Sequence, residues 1–474
     1  MVPGRFTATD EVFYKAAGRN WAMTGHFAAP EIVGRLAKGP SLADVYFAQP
    51  PPYTFFFGVY TKLAGFGPRQ CIFYDVLIHL LLVWTAVVAA RIVFKLSWMA
   101  SLFCGALFFP LGTVGRSDEL AIVFALWAAV AFRAAIPKRW SVVIGGVFLG
   151  LVCATSLSAF VFLGPVVVWE LLGVKQSGRD RFRNFWAAAA AGLAVLAMCV
   201  APILANHPTA YQQIIAHGGE QSGTLNFMAG KGWKAAGGFI GVWVSSLRYG
   251  YAYVILGLGL LTFAATCRLF DEFHAGKEYG RVVAGILSLA CVIVLMPGKF
   301  LYLWFPGAWL LMASVALAAE IVPMVTRARQ YFLIAFGVCV WLAASTAYFH
   351  EKAILWTLPE DQSLTVNMNR VRAEIPAGVG VMTTEYWWAL ADRDRVYDTL
   401  FSKPSPDDVS YIVVSGNGSG QPATPYKINA AYETGDFEPI YEHLNPTPES
   451  IFGFRIAHSA YGFGAYILKK KTAP

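Results

Sequence analysis

Charge is scarce in this chain: Asp, Glu, Lys and Arg together make up 14% of its 474 residues, against about a quarter in ordinary soluble domains. With 57% hydrophobic residues alongside, that scarcity excludes a conventional water-soluble globule. Cysteine offers no chemistry either. All seven cysteines, Cys71, Cys104, Cys153, Cys199, Cys267, Cys291 and Cys339, fall in or at the ends of apolar runs without CxxC spacing, so they read as small buried residues, not as a redox or zinc site. The region after Phe349 contains none, which excludes a disulfide framework there. The first ten residues lack the apolar core of a signal peptide. Acidic residues are almost absent from the middles of the apolar runs, and no repeated half is visible. Both absences count against a transporter or lipid flippase, which tends to place ionisable groups at the bilayer midplane on duplicated, broken helices.

What is present is long apolar sequence from Cys71 to Phe349. A spanning helix needs roughly 17 to 25 mostly apolar residues, because hydrocarbon satisfies no backbone hydrogen bond. The runs place spans near 71–92, 98–114, 118–133, 140–156, 159–173, 184–204, 250–267, 281–297, 301–322 and 330–350. The stretch 140–173 reads equally as one broken helix with Pro165 near its end. Lys and Arg, which give a formal net charge of +8, form no single basic face for nucleic acid. They gather in alternate loops. One set holds Arg91 and Lys95; Arg133, Lys138 and Arg139; Lys175, Arg179, Arg181 and Arg183; Arg268, Lys277 and Arg281; and Arg327 and Arg329, whereas the other holds only Arg116, Lys231, Lys234, Arg248 and Lys299. Cytoplasmic loops carry the basic excess, so the first span runs inward. Residues 1–70 and the C-terminal region then face the periplasm or exterior of a bacterial inner membrane. A polar outer segment of that length also predicts a further helix ahead of Met1.

The outer segments have their own patterns. Residues 11–36 carry Val12, Phe13, Ala16, Trp21, Met23 and Phe27 at helical spacing, with Gly18 and Gly25 as interruptions and Pro30 at the close. This predicts short amphipathic helices in the interface. Pro50, Pro51 and Pro52 exclude a helix interior, and the aromatic run Tyr53, Phe55, Phe56, Phe57 and Tyr60 predicts an interfacial helix just after them. The loop 205–249, with His207, Tyr211, His217 and Trp233, has a similar character. From about Leu364 the pattern becomes that of a small α/β unit. Helices are predicted at Asn367–Ile375 and Glu385–Ala391, and strands at Val379–Thr383, Val409–Val414, Phe437–Tyr441, Phe454–Ile456 and Ala465–Leu468. The Gly416–Gly420 run lacks the Lys-Ser/Thr ending of a phosphate loop and reads as a flexible loop. The fold class is therefore an all-α polytopic bundle of about ten transmembrane helices, about eleven with the preceding one, plus a small extracytoplasmic α/β domain. The divisions fall at 1–70, 71–350 and 351–474.

Three places carry residues with chemical capacity. Asp10 and Glu11 form a carboxylate pair at the outer membrane surface, able to bind a cation or to act as a base toward a hydroxyl, though Thr9 and Asp10 would also cap a helix. Arg116, Ser117, Asp118 and Glu119 occupy a short outer turn on the same side, where Ser117 and Asp118 could equally cap the next helix. Lys299, with Tyr302, lies on the outer side against the general charge bias and suits an anionic headgroup or phosphate. His79 sits inside the first span, where ionisable groups are costly; no role is assigned to it.

Thr7 to Tyr14 with Asp10-Glu11, then Thr24-Gly25-His26-Phe27, then Gln49-Pro50-Pro51-Pro52-Tyr53, resemble the first outer loop of the GT-C class of integral-membrane glycosyltransferases. The likeness is greatest to the protein O-mannosyltransferase and lipid A aminoarabinose transferase branch. There an acidic motif follows the first helix and a Pro-Pro-Leu-aromatic segment closes the loop. Arg116-Ser117-Asp118 stands where the branch carries a second aspartate, and Lys299-Phe300-Leu301-Tyr302 with Pro306 is similar to a late basic, Tyr-Leu and proline segment. Gln49 replaces the lysine that precedes the double proline in the aminoarabinose transferases, and Pro52 replaces a leucine.

The resemblance implies a polyprenyl-phosphate sugar as donor and transfer to an acceptor hydroxyl of a lipid, glycan or protein, with inversion at the anomeric carbon. It implies Asp10 as general base and Glu11 and Asp118 as groups that tune it or position the acceptor. Arg116, Lys299 and Tyr302 would receive the leaving phosphate, and Tyr14, Gln49 and Tyr53 would line the substrate cavity. Some members of the class use a divalent cation, Mg or Mn, and others none. Membrane lipids are the remaining partners. The competing readings are a polytopic transporter or flippase, and a noncatalytic membrane subunit, which would tolerate loss of Asp10.

Overall fold

The computed structural model describes residues 9–32, 40–48, 51–108, 117–134, 136–172, 177–215, 277–295, 304–321, 364–383, 386–390, 395–397, 405–415, 436–445, 450–451, 454–455 and 463–471. The spans expected at 250–267 and 330–350, and the loop Gly416–Gly420, lie outside them.

Helix α1 runs over Thr9–Thr24 and corrects the expected interruption at Gly18. It passes through Gly18 without a break and stops at Gly25, whose φ of +83° is the left-handed conformation that commonly ends a helix. Gly18 is needed for contact: a Cβ there would collide with the carbonyl oxygen of Thr54 on α2 (Pro51–Ala64). Helix α2 also starts earlier than its prolines predicted. Pro51 and Pro52 fall in its first turn, where the missing N–H groups would have had no helical partner.

Helix α3 (Pro68–Ile92) is followed by α4 (Trp98–Phe108), α5 (Asp118–Arg133), α6 (Lys138–Thr155) and α7 (Leu157–Leu172). Then come α8 (Gly178–Asn206), α9 (Lys277–Leu295) and α10 (Trp304–Ile321). The stretch 140–173 is two helices, parted at Ser156, whose φ of −155° and ψ of 111° are extended. Among the described residues, three helices are long and apolar enough to cross a membrane: Arg69–Ile92, Lys138–Thr155 and Gly178–Asn206. Their outward side chains, such as Phe73, Trp84, Leu193 and Met198, are exposed apolar groups, as hydrocarbon-facing helices require.

Helix α5 forms the centre, with nearly every side chain buried. The Trp127 indole donates to Thr85 Oγ1 at 3.1 Å, and His79 Nδ1 lies 3.3 Å from Glu119 Oε2, so α3 and α5 run parallel. Ser141 Oγ donates to Ala131 O at 2.7 Å and turns α6 back along α5. Helices α6 and α8 meet through small residues. A Cβ on Gly146 would collide with Ala188 O, and one on Gly150 with Gly192 O, the close backbone approach by which membrane helices gain packing.

The far end of α5 is tied by charge. Glu170 of α7 is fully buried and accepts from Arg133 Nε of α5, and also from Arg281 of α9, by Nε at 2.7 Å and Nη2 at 3.3 Å. Arg281 also lies over the Phe94 ring at 4.9 Å, and its carbonyl accepts from Trp309 Nε1 at 3.2 Å. With Ser288 Oγ donating to Phe162 O, these contacts run α9 antiparallel to α7.

The described C-terminal residues form α11 (Leu364–Glu374), β1 (Val381–Met382), α12 (Trp387–Leu390), β2 (Val396–Tyr397) and β3 (Tyr411–Ser415). They continue with β4 (Phe437–Asn445), β5 (Ser450–Ile451), β6 (Phe454–Arg455) and β7 (Phe463–Lys470). The sheet order is β2-β1-β3-β7-β4, with β1 parallel to both neighbours and β7 antiparallel to both of its own. β5 and β6 form a separate hairpin. β2 had no counterpart in the sequence reading, because two residues show no alternation.

Glu170→Leu leaves two arginines facing each other without their carboxylate. Breaking a buried ion network costs about 3–5 kcal/mol, and detergent-solubilised variant protein is expected to unfold at clearly lower denaturant. Wild-type unfolding would show that these charges do not hold the helix ends.

Candidate active site

The opposite end of α5 gathers the other buried charges. Asp118 and Glu119 lie in its first turn and are 6% and 2% exposed, at the helix terminus whose partial positive charge favours carboxylates. On α3, Asp75 and His79 stand one turn apart. Lys15 of α1 is fully buried and donates to Asp75 Oδ2 at 2.7 Å, while the Tyr53 hydroxyl of α2 donates to Asp75 Oδ1 at 3.3 Å. Tyr74 Oη donates to the Tyr53 carbonyl at 3.3 Å. The rings of Tyr14 and Tyr53 meet edge to face at 6.1 Å, as do Tyr53 and Tyr74 at 5.6 Å, and Lys15 Nζ lies 5.6 Å from the Phe57 ring centre. Four helices thus contribute one polar cluster walled by aromatic rings.

The sequence-derived residues divide into three groups. Tyr14, Tyr53 and Asp118 lie in this assembly, with Glu119 beside Asp118. Asp10 and Glu11 form part of the first turn of α1, one turn before Tyr14 and Lys15; their side chains lie outside the described structure. Gln49, Arg116, Lys299 and Tyr302 lie outside the described residues. The sequence reading missed Lys15 and Asp75, and it left His79 unassigned although the structure sets it against Glu119. A usable signal existed: Asp75 is an acidic residue inside an apolar span, and such residues are costly unless paired.

Among the described residues no three His, Cys, Asp or Glu side chains stand together as a metal site.

The segments between α1 and α2 are held by contacts of their own. Gln213 is fully buried; its amide donates to Pro40 O and Val45 O, both at 2.9 Å, and accepts from Phe47 N–H at 2.6 Å. Arg19, one turn beyond Lys15, pairs with Glu31 at 3.2 Å and lies 5.1 Å from the Phe66 ring centre. Phe66 in turn meets Trp387 of the C-terminal region at 5.4 Å. The Trp387 N–H lies near the Glu31 carboxylate but short of hydrogen-bond geometry. Burial pushes the Glu31 carboxyl above the usual carboxylate range, with Arg19 and nearby N–H groups opposing the rise.

No protein-family model and no curated protein matches the chain by sequence. Solved structures do match. ArnT from Cupriavidus metallidurans, solved bound to undecaprenyl phosphate, aligns with a TM-score of 0.56 at 12% identity, over 98% of this chain and 94% of that one. The Archaeoglobus fulgidus oligosaccharyltransferase, in the apo form, aligns with a TM-score of 0.50 at 11% identity over 88% of this chain, which spans 66% of that one. The fold is that of GT-C membrane glycosyltransferases, and the chain is a multi-pass membrane protein.

A carboxyl whose pKa is raised on folding stabilises the fold fully below its unfolded pKa, about 4.3 for Glu, and loses that contribution as pH rises through the folded value. Melting measured from about pH 4 upward should therefore show a decline that Glu31→Gln flattens. Parallel profiles for the two proteins would contradict the burial of an ionisable Glu31.

Proposed function

We propose that this protein transfers a sugar from a polyprenyl-phosphate-linked donor to an acceptor hydroxyl at the outer face of a bacterial inner membrane. The observation that carries the reading is the buried cluster of Lys15, Tyr53, Asp75, His79, Asp118 and Glu119, gathered at one end of a GT-C fold beside the turn that bears Asp10 and Glu11. The bundle crosses the membrane about ten times, and the C-terminal α/β unit faces the periplasm or exterior.

Asp10 is the general base. A carboxylate with an ordinary pKa near 4 becomes a better base when a neighbouring carboxylate and partial desolvation raise it, and Glu11 and Asp118 supply that neighbourhood and position the acceptor. The acceptor O–H proton passes to Asp10 as its oxygen forms a bond to the anomeric carbon. The bond from that carbon to the lipid phosphate breaks, its electron pair leaves with the phosphate, and the anomeric centre inverts. Phosphate is a good leaving group and needs no strong general acid, so the remaining requirement is cationic and hydrogen-bonding stabilisation of its growing charge. Arg116, Lys299 and Tyr302 meet it, with Tyr14, Gln49 and Tyr53 lining the substrate cavity. The acceptor is a lipid, glycan or protein.

Purified protein incubated with radiolabelled polyprenyl-phosphate sugars and membrane extract should transfer or hydrolyse the label, and Asp10→Asn should lose about 100-fold or more, the typical contribution of a general base, while still binding donor. Equal turnover by both proteins would remove Asp10 from the mechanism; no turnover with any donor would remove the transferase reading.

A further inference from the structure

Lys15 is a fully buried cation on α1, and neither the sequence motifs nor the proposed chemistry uses it. From α3 comes Asp75, 2.7 Å away and itself 4% exposed. From α2 come the Tyr53 hydroxyl, committed to the other Asp75 oxygen, and the Phe57 ring. His79 lies one turn further along α3, paired with Glu119 of α5, next to Asp118. On α1 itself, Glu11 precedes Lys15 by four residues, Asp10 by five, and Arg19, paired with Glu31, follows by four. Residues four apart are neighbours on one helix face, with Cβ atoms about 5–6 Å apart.

A buried ion pair is a poor source of stability, since the desolvation of both partners offsets their attraction. Ionisable pairs retained within apolar surroundings are accordingly candidates for function. The placement here gives that function a form. An opposite charge within about 4–6 Å favours ionisation of a carboxyl. Glu11 and Lys15 share one face of α1, while Asp75, itself held by the Tyr53 hydroxyl, fixes the Lys15 ammonium group.

We propose that Lys15, held by Asp75 and Tyr53, is a positioning residue that keeps the Asp10–Glu11 pair ionised and α1 in register with α3. Lys15 does not itself touch the reacting atoms. It opposes the rise in pKa that two adjacent carboxylates cause in each other, so that Asp10 remains a base over the working pH range. This role rests on the reading of Asp10 as general base.

The test is the acidic limb of the pH–rate profile for turnover of a polyprenyl-phosphate sugar, measured on the full-length protein in detergent. Lys15→Met should move the limb to higher pH by about 0.5–1 unit, a fraction of the 1–3 units found for directly paired groups. Lys15→Arg should restore the wild-type limb. The double variant Lys15→Met with Asp75→Asn removes both charges and avoids stranding a buried carboxylate. It covers the case in which the single variant fails to fold, and its limb should also move upward, by less. A role confined to packing would lower the amount of folded protein or kcat while leaving the limb of the double variant on that of wild type. That result overturns the proposal. Full activity of Asp10→Asn would instead overturn the general-base reading on which it rests.

Discussion

Lys15 and Asp75 meet where neither has water, and much of this end of the bundle is arranged by the need to keep them together. Their pairing requires α1 to lie against α3, which in turn requires the glycine contact at Gly18 that lets α1 and α2 approach at backbone distance. Tyr53 reaches the second Asp75 oxygen only because α2 begins directly at its prolines. One ion pair thus fixes three helices, and the first turn of α1, with Asp10 and Glu11, is carried into position by it.

The same physics acts at the other end of the bundle with a different result. Arg133, Glu170 and Arg281 bind α5, α7 and α9 through a carboxylate with two guanidinium partners, and Phe94, just past the end of α3, and Trp309 of α10 close the site. No residue proposed for chemistry lies there. Arg133 and Arg281 are among the basic residues that the loop pattern assigned to the cytoplasm, whereas the end bearing Asp75, Asp118 and Glu119 is rich in carboxylates. The central helix α5 therefore joins two charged poles of unlike composition, and the chemistry is proposed for the acidic one.

Hydropathy made the bundle legible, because a helix such as α3 or α8 needs only its own apolar length to declare itself. Contacts between distant segments were much less legible. Gly18 looks like a helix breaker in sequence and becomes a packing site only once Thr54 is opposite it. Asp75 was overlooked because a single acidic residue near the start of an apolar run reads as a boundary. Gln213 gave no signal at all, since its value lies in holding the Pro40, Val45 and Phe47 backbone from more than 160 residues away. Asp118 and Glu119 could be placed at one end of the bundle from loop order, yet the pairing of Glu119 with His79 could not, since helical periodicity says nothing about which helices adjoin.

The central claim is that the acidic pole receives the lipid-linked donor. A polyprenyl phosphate bearing a photoreactive group, crosslinked to the purified protein and mapped by mass spectrometry, addresses it most directly. Labelled peptides should come from α1, α2 and the first half of α3, with labelling competed by unlabelled polyprenyl phosphate. Competable labelling confined to peptides around Arg133 and Arg281 would place the donor at the wrong end of the bundle and contradict the account.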